Sequence, residues 1–269
     1  MATFVHRLEA ADTATGLKGR IHHSVCKWCY PKVELETLAQ WGKENGLQSI
    51  ELLETKEIPV IQKKGLTCAM VSGIPGGITK GLNRLENHDA IVEWFSNAAP
   101  QVSNLGCQNI ICFSGNRNGL SDEEGIKNCA VGLKRLVPIA EKHHVTLVME
   151  LLNSKVDHKD YQCDHTGWGV ELCKAVGSER FKLLYDIYHM QIMEGDVIAT
   201  LKKSAPYIAH YHTGGVPGRH EIDDSQELYY PAIMKAIVDT GYKGFVAQEF
   251  IPTRDPLTSL KQGVTLCDV

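Results

Sequence analysis

The chain has 269 residues, 43% of them hydrophobic and 22% charged, and a formal net charge of −4. That length suits one large α/β domain or two small ones, and the composition is ordinary for a globular protein. A slightly negative chain without clusters of Lys or Arg has no electrostatic drive toward nucleic acid or an anionic membrane.

Residues 1–20 lack an apolar core flanked by basic residues, so no secretory signal is read there. Residues 1–19 are expected to form an N-terminal arm and residues 20–269 a single domain. No apolar stretch approaches the roughly 20 residues needed to cross a bilayer. From there the chain alternates short apolar runs with longer amphipathic stretches. Strands are expected over residues 20–25, 49–53, 67–71, 109–113, 146–150, 182–186, 208–212 and 244–249. Between them apolar residues fall three and four apart, as at Ile91, Phe95, Ala98, Val102 and Leu105, which marks helices. Ser121-Asp122-Glu123-Glu124 is a capping-box pattern that opens one of them. Gly46, Gly65, Gly106 and Gly241 each follow a helical stretch, where a left-handed C-cap is wanted.

Eight strands alternating with helices over about 250 residues are the size and rhythm of a (β/α)₈ TIM barrel, an α/β fold. A doubly wound sheet would want a Gly-rich turn after the first strand, and His22-His23-Ser24-Val25-Cys26 is not one. In a barrel the C-terminal ends of the strands form one rim, and active sites are built there. Glu150, Asp186, His212 and Glu249 close four successive strand-like runs, so all four project toward that rim. A charge at the end of a buried strand is costly unless something compensates it. Any one of these carboxylates reads as well as a salt-bridge partner or a helix cap. All four together would need several independent cationic partners on a rim that has few Lys or Arg. Three carboxylates and an imidazole form an oxygen and nitrogen donor set that suits one divalent metal ion, Mn²⁺, Mg²⁺ or Co²⁺. Glu51 ends the second run similarly, although Leu52 and Leu53 follow it.

Glu150-Leu151-Leu152-Asn153, Asp186-Ile187-Tyr188-His189-Met190, His210-Tyr211-His212 followed by Val216-Pro217-Gly218-Arg219-His220-Glu221, and Gln248-Glu249-Phe250 keep an order and spacing that resemble a known family. The chain is similar to the hydroxypyruvate isomerase branch of the xylose isomerase-like TIM barrels, which also hold the ketose 3-epimerases. The likeness spans roughly residues 20–265. It implies that Glu150, Asp186, His212 and Glu249 bind the metal, that Glu150 and Glu249 double as acid and base, and that His189 and Arg219 bind substrate oxygens. The implied reaction is isomerisation of a small hydroxy-carbonyl compound through an enediolate, with hydroxypyruvate and tartronate semialdehyde as the model pair. Two departures bear on the substrate. His212 stands where hydroxypyruvate isomerases often have glutamine and the epimerases have histidine. Val156 stands where the epimerases carry a second glutamate.

A ketose 3-epimerase and a keto-sugar lyase or dehydratase are the competing enzyme readings on the same residues. An endonuclease IV-like barrel would want several metals and a basic groove, and a non-catalytic sugar-binding barrel would not need two carboxylates on one metal. The partner expected is a small-molecule substrate, with no nucleic acid and no membrane; a homo-oligomer is left open. Nine cysteines scattered through apparent helices and strands fit core positions in a reducing cytoplasm. Cys26-Lys27-Trp28-Cys29 has redox spacing but lacks the second pair of a structural zinc site. One of His22 and His23 faces inward, to line the pocket or to sit hydrogen-bonded in the barrel. Trp28 is placed to wall the pocket or to cover the barrel. Residues 153–168 read as a lid or as a solvated loop whose Asp164 or Thr166 caps the next helix. Residues 72–77 face the rim but lack the lysine of a phosphate loop.

Overall fold

The computed structural model describes residues 16–269, and most of the expected N-terminal arm lies outside the described residues. Seven parallel strands run β1 (His22–Cys26), β2 (Ser49–Glu51), β3 (Asn109–Cys112), β4 (Thr146–Glu150), β5 (Phe181–Asp186), β6 (Ile208–Thr213) and β7 (Phe245–Gln248). They form one sheet in the order β2-β1-β7-β6-β5-β4-β3. Helices cross over between successive strands, as parallel pairing requires.

The expected strand over residues 67–71 is not a regular strand. It makes isolated parallel bridges, Ser49 with Thr67, Leu53 with Val71 and Val71 with Ile110, and so closes the barrel between β2 and β3. The reason lies in side chains that take ladder positions. Ser49 Oγ accepts from the Ala69 amide at 2.8 Å, and Asn109 Nδ2 donates to the Ala69 carbonyl at 2.9 Å. The backbone is satisfied without a continuous ladder.

Strand alternation splits the buried residues into two sets. Odd-numbered core positions on the central strands, such as Leu147, Met149, Leu183 and Tyr185, pack outward in the large cluster with the helices. Met70, Ile111, Val148 and Leu184 form a separate small cluster inside the barrel. On the β1, β2 and β6 side the interior is polar instead, with Ser24, Glu51, His210 and His212 all fully buried. The barrel interior is apolar on one side and hydrogen-bonded on the other.

Local expectations are met where the chemistry is local. Ser121 and Glu124 form a complete capping box on the helix Asp122–His143. Gly46, Gly65, Gly106 and Gly241 all have positive φ. The loop after β4 is tied down: Arg117 pairs with Asp164 at 2.9 Å, and Tyr161 Oη donates to the Glu150 carbonyl at 2.9 Å. Neither Asp164 nor Thr166 caps the following helix with its side chain. Glu194 does so from outside, accepting from the Thr166 amide at 2.6 Å.

The same loop presses Gln162 onto Gly125 of the capped helix. A Cβ at Gly125 would lie 2.1 Å from Gln162 Nε2. That amide is held in place, donating to the Ser121 carbonyl at 2.9 Å and accepting from Asn83 at 2.8 Å. Alanine normally gains up to about 1 kcal/mol over glycine inside a helix. Here Gly125→Ala is expected to destabilise by about 1–3 kcal/mol, because it overpacks and breaks buried hydrogen bonds. Urea unfolding measures it, and a stabilised variant would show that the loop yields freely.

Candidate metal centre and active site

The rim positions gather as the strand ends imply. Glu150, Asp186, His212 and Glu249 each offer a ligand atom, and these atoms lie within 4.8 Å of one another. Glu150 and Asp186 end β4 and β5, His212 is the penultimate residue of β6, and Glu249 directly follows β7. Asp186 also accepts from the His189 amide at 3.1 Å, capping the helix Ile187–Met193, so its second oxygen is left for the centre.

Arg219 is the cation of the site. It sits in a positive-φ turn and is only 9% exposed, not a surface loop residue. Its Nη2 bonds both Asp186 Oδ2, at 3.0 Å, and Glu249 Oε2, while Nη1 meets His189 Nε2 at 2.7 Å. The guanidinium lies 5.4 Å from the Trp28 ring and 5.1 Å from that of Tyr188. Trp28 walls the pocket and also donates from Nε1 to Glu249 Oε1 at 2.7 Å. Asn153, from the block that follows Glu150, reaches His189 Nδ1 at 2.7 Å. Glu150, Glu249 and Arg219 line a cavity of about 450 Å³; Asp186, His189 and His212 lie fully buried behind them.

Titration is pushed apart across this cluster. Burial, then Glu249, raises the Glu150 carboxyl. Burial also drives Asp186 up to about 8 against the opposing pull of Arg219. Glu249 feels the same burial, but Arg219 and His212 outweigh it and hold its carboxylate well below the usual range. Burial and the nearby Arg219 keep His189 neutral.

Two atoms of the cluster are orphaned. His212 Nδ1 and Glu150 Oε1 are buried and have no hydrogen-bond partner. Glu249 Oε2 and Glu150 Oε1 come within 2.7 and 3.4 Å of His212 Nδ1 as charge contacts without hydrogen-bond alignment. Against burial, the nearby Cys26, Glu249 and Glu150 push the His212 imidazole well above its usual range, so a cation there would take the place of a proton. A native protein seldom leaves such groups unsatisfied. An imidazole lone pair and a carboxylate oxygen converging with two further carboxylates fit the donor set of one divalent cation. The residues present therefore suit a metal.

Several participants were faint or silent in the sequence. Ser24 Oγ, His210 Nε2 and His212 Nε2 all reach Glu51, at 2.6, 2.7 and 2.9 Å. Burial works to raise Glu51, yet His210 and His212 hold it down at about 2. Only its place at a strand end hinted at this. His158 lines the cavity and stacks 5.3 Å from His189, whereas Val156 is 62% exposed and turned away. Neither adjacent histidine of β1 reaches the rim: His22 packs on Phe245, and His23 lies 3.8 Å from Asp268. Cys26 and Cys29 are buried free thiols, as are the other seven cysteines.

The family model for the xylose isomerase-like TIM barrel matches residues 36–267. The Homo sapiens protein described as putative hydroxypyruvate isomerase is 24% identical over 249 residues, covering 87% of this chain and 90% of its own. A 2-oxo-tetronate isomerase of Cupriavidus necator is 38% identical over 108 residues, covering 40% of this chain and 41% of its own. Among solved structures, an AP endonuclease, family 2, from Brucella melitensis superposes with a TM-score of 0.79 at 22% identity, covering 91% of this chain and 98% of that one. At that identity the superposition shows the fold alone.

The loop bearing Arg219 is clamped by Glu221. Its Oε1 accepts from the Thr253 amide at 2.9 Å and Ser259 Oγ at 2.8 Å, and its Oε2 from Thr253 Oγ at 2.8 Å. Burial would raise this carboxyl, but its own backbone, Ser259 and Thr253 outweigh that and hold it at about 2. A pKa lowered below its unfolded value contributes stability above about pH 4.5, and that contribution is lost as pH falls toward 2. Glu221→Gln is expected to lower stability at pH 7 and to flatten the acid limb of a stability–pH curve. An unchanged acid limb would show that the clamp carries no such weight.

Proposed function

The chain belongs to the xylose isomerase-like TIM barrel family, in its hydroxypyruvate isomerase-like branch, and is an isomerase; from that premise we propose that it is a metal-dependent isomerase of a small hydroxy-carbonyl acid of the hydroxypyruvate type. The carrying observation is the charge balance of the buried centre. Three carboxylates face one guanidinium, and an imidazole nitrogen and a carboxylate oxygen stay unpartnered. Glu150, Asp186, His212 and Glu249 would hold one divalent cation, which would offset the carboxylate charge that Arg219 leaves over and would engage both of these atoms. When bound, such an ion polarises a carbonyl and stabilises the negative charge that develops on it.

The chain's own groups supply the proton transfers. Glu249, kept anionic by Arg219, takes a proton from the hydroxyl-bearing carbon next to the carbonyl. The enediolate that results is reprotonated at the former carbonyl carbon by Glu150, whose carboxyl is held up by burial. A proton passes between the two oxygens, and a 2-keto acid becomes its aldehyde isomer. Proton exchange with solvent returns Glu249 to its carboxylate and Glu150 to its acid, so atoms and charge balance over the cycle. This is the division of labour expected when two neighbouring carboxyls are driven apart in pKa. Arg219, with His189 behind it, takes a substrate oxygen, and Trp28 shields Glu249 from the mouth of the cavity.

A ketose 3-epimerase on the same residues is the second reading, favoured by a cavity of about 450 Å³, more space than a three-carbon acid fills. Against it, six apolar side chains line the cavity, Leu52, Ile74, Ile78, Ile111, Phe113 and Leu152. The extra hydroxyls of a hexulose would lie unpaired there, at a cost of about 1–3 kcal/mol each. The solvent-facing Val156 offers them nothing. The nine buried thiols and the net charge of −4 support a cytoplasmic enzyme with no nucleic-acid partner.

Glu150→Gln and Glu249→Gln are each expected to keep the fold and to lose turnover by orders of magnitude, since the pair acts as a unit. EDTA should abolish turnover of the wild type, and Mn²⁺ or Co²⁺ should restore it. Near-normal kcat in either variant, or full activity in EDTA, would contradict the reading.

A further inference from the structure

Beneath the rim, Glu51 at the end of β2 is completely buried, and among the described residues no Lys or Arg side chain hydrogen-bonds to it. A lone carboxylate in a barrel interior is costly, and the facing half of the same interior is filled by Met70, Ile111, Val148 and Leu184. What satisfies Glu51 is Ser24 on one oxygen and two imidazoles on the other. We propose that Glu51 is a positioning residue for the metal centre, which holds the proton of His212 on Nε2 and so turns the Nδ1 lone pair toward Glu150, Asp186 and Glu249.

An imidazole ligates through the nitrogen that carries no proton, and the partner of its other nitrogen decides which one that is. His212 has its two nitrogens in two different surroundings. Nε2 sits 2.9 Å from Glu51 Oε1, an acceptor with no hydrogen to give. Nδ1 is the orphaned atom that faces the cluster. The thiol of Cys26 also reaches Nε2, at 3.7 Å, but a thiol is a weak hydrogen-bonding group and competes poorly with a carboxylate. His210 donates to the same Oε1 at 2.7 Å and packs edge-on against the His212 ring at 5.1 Å, so the ring is braced against rotation. Glu51, His210 and His212 also present ligand atoms within 4.8 Å of one another, as a second metal site would. In this structure, however, those atoms already satisfy one another by hydrogen bonds, and the unsatisfied nitrogen of His212 lies on the other side.

The inference rests on the metal-centre reading above, and its test separates the two. Imidazole ¹⁵N–¹H correlation spectra of the metal-free protein, with His212 assigned by loss of its signal in His212→Gln, are expected to show His212 protonated on Nε2. Calorimetric titration with Mn²⁺ and with Co²⁺ should give one site in the wild type and about 10–100-fold weaker binding in Glu51→Gln. At saturating metal that variant should recover kcat, because no reacting group has been removed. Ser24→Ala, which takes a donor from Glu51 without touching either histidine, is expected to bind several-fold more weakly, and it carries the test if Glu51→Gln does not fold. A neutral His212 whose single ring proton sits on Nδ1 overturns the proposal. So does unchanged metal affinity in a folded variant, or two wild-type sites of which Glu51→Gln loses one and keeps the other. If the wild type binds neither ion, the metal reading fails, and the protonation state of His212 still decides the role of Glu51.

Discussion

Three carboxylates and an imidazole share a space less than 4.8 Å across, away from solvent, and the rest of the rim is arranged around that repulsion. Like charges at such range interact by several kcal/mol in a partly buried setting. Arg219 offsets part of it and is braced by Trp28, Tyr188 and His189. Asp186, driven up to about 8, shows how much is left over without a further cation. The proposed chemistry would use this arrangement: a carboxylate that accepts a proton and a carboxyl that gives one, side by side and dry.

The scaffold beneath the rim supports the arrangement unequally. One side of the barrel interior is an apolar plug, which sets the strand ends by packing. The other is a hydrogen-bonded hub around Glu51 that reaches His212 directly. Two loops add the parts that strands cannot supply. The segment after β6 brings in Arg219 and is pinned by Glu221, and the segment after β4 brings in His158 and Asn153 and is pinned by Arg117. The site therefore draws on both halves of the chain, although the four residues of the candidate metal centre come only from the second.

Much of this was legible before any coordinates. The rhythm of apolar runs gives the barrel, and a charge closing a run marks a rim position, because strand parity and burial leave it nowhere else to point. Ser121 with Glu124, and the glycines at helix ends, were readable for the same reason: their chemistry is local. What depends on contacts between distant segments was not. The 67–71 run looks like a strand by composition, yet Ser49 and Asn109 take its ladder positions. Arg219 reads equally well as a surface residue until its turn is seen to fold over the centre. Glu51 was blurred by two leucines, and its partners Ser24 and His210 have no sequence signature. Val156 could be seen to lack a carboxylate, but not that His158, two residues on, faces the cavity in its place.

The account stands or falls on proton transfer at carbon. Hydroxypyruvate incubated with the metal-loaded enzyme in D₂O, and followed by mass spectrometry with and without EDTA, tests this most directly. The account predicts deuterium on carbon in the aldehyde product and in recovered hydroxypyruvate, with no exchange above background once EDTA has removed the metal. Conversion without deuterium on carbon would contradict delivery of a second proton by Glu150 and point to one base that returns the same proton or to a hydride shift. A metal-loaded enzyme that returns hydroxypyruvate unlabelled and unconverted would contradict the assigned reaction and leave the barrel and its metal centre to be matched to other chemistry.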